Sequence, residues 1–125
     1  MHVLENMVAA VKPGGLVLDL QVIRPNSVVE TNGTVVCEID GAPLFRKADA
    51  ATAALDALVS DGRLVEDAVD DHDVRKHYAS GADLVSDFAP SEREIPEAAV
   101  GELLAIDERC SLRERCRLRR LAVVH

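Results

Sequence analysis

The chain has 125 residues, with 14 basic and 22 acidic groups for a formal net charge of −8. That length fits a single domain spanning 1–125, and 48% apolar with 29% charged residues is a globular composition, not a disordered one. No run approaches the roughly 20 apolar residues that span a bilayer, no charged segment precedes an apolar one with a cleavage site, and the acidic total argues against general nucleic-acid binding, which rests on a basic field.

The elements follow in chain order. Leu4, Met7, Val8 and Val11 fall at helical spacing. Lys12-Pro13-Gly14-Gly15 stops that helix, and no cap residue starts it. Gly15 to Arg24 is nearly continuous in apolar residues, as in a central strand covered on both faces, and Pro25 and Asn26 end it. Val28–Thr31, Asn32-Gly33 and Thr34–Ile39 read as a hairpin, because Asn-Gly suits a type I′ turn. Asp40-Gly41 opens a short third strand, Ala42–Phe45. Asp49 then caps a helix to Ser60, with Ala51, Ala54, Leu55 and Leu58 on one face and Gly62 as its stop. Arg63–Asp71 alternates like a strand. Ser80-Gly-Ala-Asp83 resembles a capping box and leads into a short helix carrying Leu84, Val85 and Phe88, stopped by Pro90. Ser91–Ile95 is a charged loop. Pro96 fits a first helical position, and Ala99, Val100, Leu103 and Ile106 carry the next stripe. Cys110–Val124 is strand-like. Strands alternating with helices imply an α/β fold.

Local charge says more than the total. Asp61, Glu66, Asp67, Asp70, Asp71 and Asp73 crowd one strand, and Arg109, Arg113, Arg115, Arg117, Arg119 and Arg120 crowd the last. In the last strand Leu112, Cys116 and Leu118 point one way, and Arg113, Arg115, Arg117 and Arg119 the other. If the two strands are antiparallel neighbours, acids face arginines, each pair contributing roughly 0.2–1 kcal/mol. The competing reading is an arginine face that grips phosphate. The nearby acids and the scarcity of aromatics (Phe45, Tyr78 and Phe88 only) weigh against it. Cys37, Cys110 and Cys116 are odd in number and lack CxxC spacing, so free thiols in a reducing cytoplasm are expected, with no structural zinc.

The helix, the Val11-Lys-Pro-Gly-Gly15 turn and the apolar strand after it resemble the segment before the fifth strand of class I S-adenosylmethionine-dependent methyltransferases. The later order is similar too: a helix (Asp49–Ser60), a sixth strand (Leu64–Asp71), a helical region and a last strand, Leu112–Val123, placed antiparallel between the fifth and sixth. The resemblance implies a partial Rossmann-like sheet with a parallel strand, the hairpin at 28–45 being an insertion. It also implies a C-terminal half, because no glycine-rich cofactor turn is present and the chain begins inside a helix. S-adenosylmethionine belongs to the complete family domain, and no cofactor-binding residue carries over to this chain.

Ligands of open α/β sheets sit beyond the carboxyl ends of the strands. That rule puts Arg24, Pro25 and Asn26 after one strand and His72, Asp73, Arg75, His77 and Tyr78 after the other. Arg24, Asn26, His72, His77 and Tyr78 are the candidate substrate-binding residues. His72 or His77 could serve as a base. A metal reading of His72-Asp73-x-x-x-His77 is weak, because three ligands in so short a loop rarely converge. No residue is assigned a catalytic role. Two functions are expected in competition. One is a methyltransferase-like C-terminal portion, inactive alone. The other is a non-catalytic α/β binding or dimerisation module. In both, the Leu16–Ile23 strand has an unpaired edge that recruits a homo-oligomeric partner or a chain supplying the missing strands.

Overall fold

The computed structural model describes residues 10–88 and 92–124. The expected first helix lies outside the described residues apart from its last positions. Four strands, β1 (Leu16–Thr31), β2 (Thr34–Glu38), β3 (Leu64–Tyr78) and β4 (Cys110–Val123), form one sheet in the order β2-β1-β4-β3. Every neighbouring pair is antiparallel. The expectation of a partial Rossmann-like sheet is therefore corrected. β1 and β3 do run in the same direction, but β4 lies between them, so no parallel ladder forms. The apolar run of β1 was also misread as a strand covered on both faces. Leu16, Leu18 and Leu20 are 54%, 65% and 56% exposed.

Side chains alternate along a strand, and the organisation of this sheet follows from that rule applied to β4. Leu121 and Val123 lie on one face, Cys110 and Leu112 on the other, and all four are buried. Each face is covered at a different end. On the first, Val17, Leu64, Leu121 and Val123 pack under Leu55 and Leu58. On the second, Val29, Cys110 and Leu112 pack with Ile39, Leu84 and Leu103. The inward residues of the flanking strands have one parity at both ends, Val17 and Val29 in β1 and Leu64 and Tyr78 in β3, so each strand must change face to keep both ends covered. β1 does so by bulging between Ile23, opposite Arg115, and Val28, opposite Arg113. β3 does so by a register shift between Glu66 and Ala68. Bulges of this kind kink a strand and re-aim its side chains. Pro25 and Asn26 thus do not end the strand as expected. They lie in its bulge.

Helix α1 (Ala42–Ser60) covers the first core, and α2 (Gly81–Asp87) and α3 (Glu97–Leu104) cover the second. The short strand expected at Ala42–Phe45 is instead the first turn of α1, and Asp49 is inside the helix, not its cap. Proline is tolerated in a first helical turn, so Pro43 permits the earlier start. Phe45 and Ala48 then extend the buried stripe toward Leu55 and Leu58. Pro96, expected at the first helical position, is instead the extended residue before α3, whereas the hairpin turn and the Ser80 cap hold. Asn32 and Gly33 take φ of 52° and 74° in the hairpin turn, and Ser80 Oγ accepts from Asp83 N at 3.3 Å as the α2 cap. Gly81 is required by close approach: a Cβ there would come within 1.7 Å of the Leu103 carbonyl oxygen. No helix among the described residues is long and apolar enough to cross a membrane.

Two cores on opposite faces give a contrast that urea denaturation can read. Leu112→Ala and Leu121→Ala should each cost about 2–5 kcal/mol, the range for deleting a buried leucine side chain. Leu18→Ala should stay within about 0.5 kcal/mol, as an exposed change does. An equally large loss at Leu18 would refute its exposure.

Candidate functional site

The β1 bulge forms one wall of a surface depression of about 550 Å³, lined by Arg24, Pro25, Asn26, Asp40, Ala42, Phe45 and Arg46. Two contacts tie the bulge to α1. Arg24 forks onto Asp49 with distances of 3.2 and 3.0 Å and lies 5.0 Å over the Phe45 ring. Asn26 Oδ1 accepts from Gly41 N at 3.3 Å. A helix start can hold an anion through free amides, but this one has few to offer. Ala42 N donates to Asp40 Oδ1 and Leu44 N to the Glu92 carbonyl, and Pro43 has no N–H. The depression thus offers one amide side chain and charges of both signs, the buried Phe45 ring being already covered by Arg24.

The other predicted residues do not join it. β3 continues to Tyr78, so His72, His77 and Tyr78 are on a strand and not on a rim loop. His72 stands opposite Cys116 and Tyr78 opposite Cys110, whereas His77 stands opposite Ser111 on the other face. His72 and His77 therefore cannot converge on one ligand. Tyr78 is a brace: its hydroxyl donates to Asp87 Oδ2 at 2.7 Å, which Lys76 also reaches. Asn26 does meet the acidic strand, sharing a small cleft of about 160 Å³ with Asp73, Arg113 and Arg115.

His72 beside Cys116 looks like a base–nucleophile pair, but the electrostatics oppose it. Burial pushes the Cys116 thiol up, with Glu114 adding to the effect. Reactive cysteines need the opposite shift. Burial raises Cys37 and Cys110 likewise. His72 Nδ1 lies 2.9 Å from Asp70 Oδ2, off the line that a hydrogen bond needs. Among the described residues no group of three or more His, Cys, Asp or Glu is arranged to hold a metal ion.

The charged face of β3 and β4 is a ladder of ion pairs. Asp71 and Arg117 stand directly opposite and bond through both carboxylate oxygens, at 2.8 and 2.9 Å. Arg115 reaches Asp73 at 3.2 Å, and on the opposite face of the sheet Arg120 reaches Asp67 at 2.7 Å. Arg119, only 7% exposed, is held by Glu66 and by Asp56 of α1. Burial acts to lower its pKa, and the two carboxylates outweigh it, so the net shift is upward. Two features had no sequence signal. One is Glu114, inside the arginine strand, which is chelated by Arg93 at 2.9 and 3.0 Å and by Ser27 at 3.0 Å. The other is Asp19, whose Oδ1 accepts from Gln21 while its buried Oδ2 has no partner.

Two outcomes test this ladder. Arg119→Met should cost about 1–3 kcal/mol, the penalty for stranding partly buried carboxylates. The second is a pH dependence. Arg117 holds the Asp71 carboxyl below the usual carboxylate range. Such a group contributes stability fully above its unfolded value of about 3.9. The contribution is lost as pH falls through the lower folded value. Asp71→Asn should therefore flatten the loss of stability on acidification below about pH 4. An unchanged acid slope would show that the pair contributes nothing.

Comparison with protein-family models, with curated proteins and with solved structures finds no match to this chain.

Proposed function

We propose that this chain is the C-terminal portion of an S-adenosylmethionine-dependent methyltransferase-like protein, without a cofactor site of its own and inactive alone. The observation that carries the reading is the order β1-β4-β3, in which the last strand lies antiparallel between two strands of common direction. That is the relation the Val-Lys-Pro-Gly-Gly resemblance implies for its last three strands. The chain's own sheet is antiparallel throughout, and in this reading the edge of Leu16–Ile23 is where the rest of the protein docks. In this reading the depression at Arg24, Asn26 and Phe45 faces the methyl acceptor. Methyl transfer depends chiefly on holding donor and acceptor in line, a task such a wall performs without a nucleophile. Three free cysteines, two of them buried, suit a cytoplasmic setting.

A second reading, a non-catalytic binding or dimerisation module, is favoured by the exposed row of Leu16, Leu18 and Leu20. A contiguous apolar row of this kind marks an interaction surface.

Two measurements separate the readings. Calorimetry of the chain with S-adenosylmethionine should show no binding heat, and tight binding would refute the claim that the cofactor site lies elsewhere. Mass spectrometry of the natural product, captured through this chain, should show a longer polypeptide carrying a glycine-rich strand–turn–helix segment. A product of 13.5 kDa alone would reject the portion reading in favour of the module.

A further inference from the structure

β3 is the last strand of the sheet, and among the described residues no strand pairs with its outer edge. Residues 65–71 and 73–77 along it are exposed. The Val124 amide donates to the Arg63 carbonyl. By the alternation of an antiparallel ladder, carried through the register of β3 on β4, Asp70, His72, Val74 and Lys76 aim their main-chain groups at β4, and Asp71, Asp73, Arg75 and His77 aim theirs outward. Charge is segregated along this edge. Glu66, Asp67, Asp70, Asp71 and Asp73 precede Val74, and Arg75, Lys76 and His77 follow it. Asp71 and Asp73 find arginines on β4, but Arg75 stands opposite a like charge, Arg113. Arg113 is held by Glu30 and Asp73, whereas among the described residues no carboxylate reaches Arg75.

We infer that the β3 edge pairs with the same edge of a second copy of the chain, antiparallel about a two-fold axis at Val74. Charged edges ordinarily resist pairing. Here a two-fold copy reverses the strand and lays the basic end of each against the acidic end of the other. The charges then choose the register, because like charges directly opposite are destabilising. An axis at His72 sets Asp71 against Asp73 twice. An axis at Asp73 sets that carboxylate against itself, and an axis at Arg75 sets two guanidinium groups together. An axis at Val74 avoids all three. It sets Arg75 against Asp73 and His77 against Asp71, each twice, and it sets Val74, 38% exposed, against itself. Both carboxylates are within reach of a second copy. The side chains of Asp71 and Asp73 are 33% and 34% exposed beside Arg117 and Arg115, and a carboxylate accepts several donors at once. Arg75 thereby gains the acceptor that its own chain does not supply. About eight main-chain hydrogen bonds would close the edge between residues 71 and 77. The result is one continuous sheet with β2-β1-β4-β3 on either side of the axis and Leu16–Ile23 left at its far rims.

Size-exclusion chromatography with light scattering on the full chain should show a concentration-dependent species of twice 13.5 kDa. Arg75 is exposed and faces Arg113, so Arg75→Glu should leave the far-ultraviolet circular dichroism unchanged. By setting a carboxylate against Asp73 on both sides of the axis, it should weaken dimerisation at least about tenfold. Under mild oxidation Val74→Cys should form a covalent dimer, because a pair without main-chain hydrogen bonds brings its Cα atoms within disulfide reach. Val69→Cys should not, because its two copies lie roughly 33 Å apart in this register. A monomer at all concentrations, a dimer indifferent to Arg75→Glu, or equal crosslinking at both positions would overturn the inference. The methyltransferase-like reading places its joint at the other edge of the sheet, so none of these outcomes bears on its calorimetric or mass-spectrometric tests.

Discussion

The structure depends on the alternation of side chains along one strand. β4 is central, pairs along nearly its whole length on both sides, and presents a different face to a helix layer at each end. Leu121 and Val123 need cover where α1 lies, and Cys110 and Leu112 need it where α2 and α3 lie. In β1 and β3 the residues that need cover share one parity at both ends, so unbroken alternation would put one end on the wrong face. The bulge in β1 and the register shift in β3 are the two places where the flanking strands change face to stay in step.

The two uncovered quarters of the sheet follow from the same geometry. One is the face opposite the α2–α3 core, where the arginine and aspartate ladder meets solvent. The other is the face opposite α1, where Leu16, Leu18 and Leu20 are exposed. Cross-strand ion pairs hold the first quarter together. In the second, exposed leucines lie beside an edge that no strand among the described residues pairs. The wall at Arg24 and Asn26 lies where the β1 bulge meets the start of α1, so this depression is a by-product of the face change.

Local signals were legible because local physics decides them. The Asn32-Gly33 turn needs two positive φ values, the Ser80 cap satisfies a helix amide, and the acidic and basic strands pair through charges that alternation puts on one face. Signals failed where tertiary packing chose between local options. Ala42–Phe45 has a strand-like pattern over four residues, but Phe45 and Ala48 bury one helical face. Pro25 suggests a strand end, but a bulge accommodates it. His72, His77 and Tyr78 were read as a rim because β3 was cut at Asp71, where the charges begin. Pairing with the arginine strand carries β3 on to Tyr78 and divides those three side chains between two faces.

The sequence by itself determined the mixture of helices and strands, the hairpin turn, the Ser80 cap and the Gly62 stop, and the complementarity of its two charged strands. Each of these is written in a few neighbouring residues. Only the tertiary structure decided that the sheet is antiparallel throughout, that Glu114 is held by a distant Arg93, and that Leu16–Ile23 exposes its leucines on one face. These depend on which strand lies beside which. A run such as Leu-Val-Leu-Asp-Leu is compatible with burial on two faces or on one, and strand order and the reach of α1 settled it.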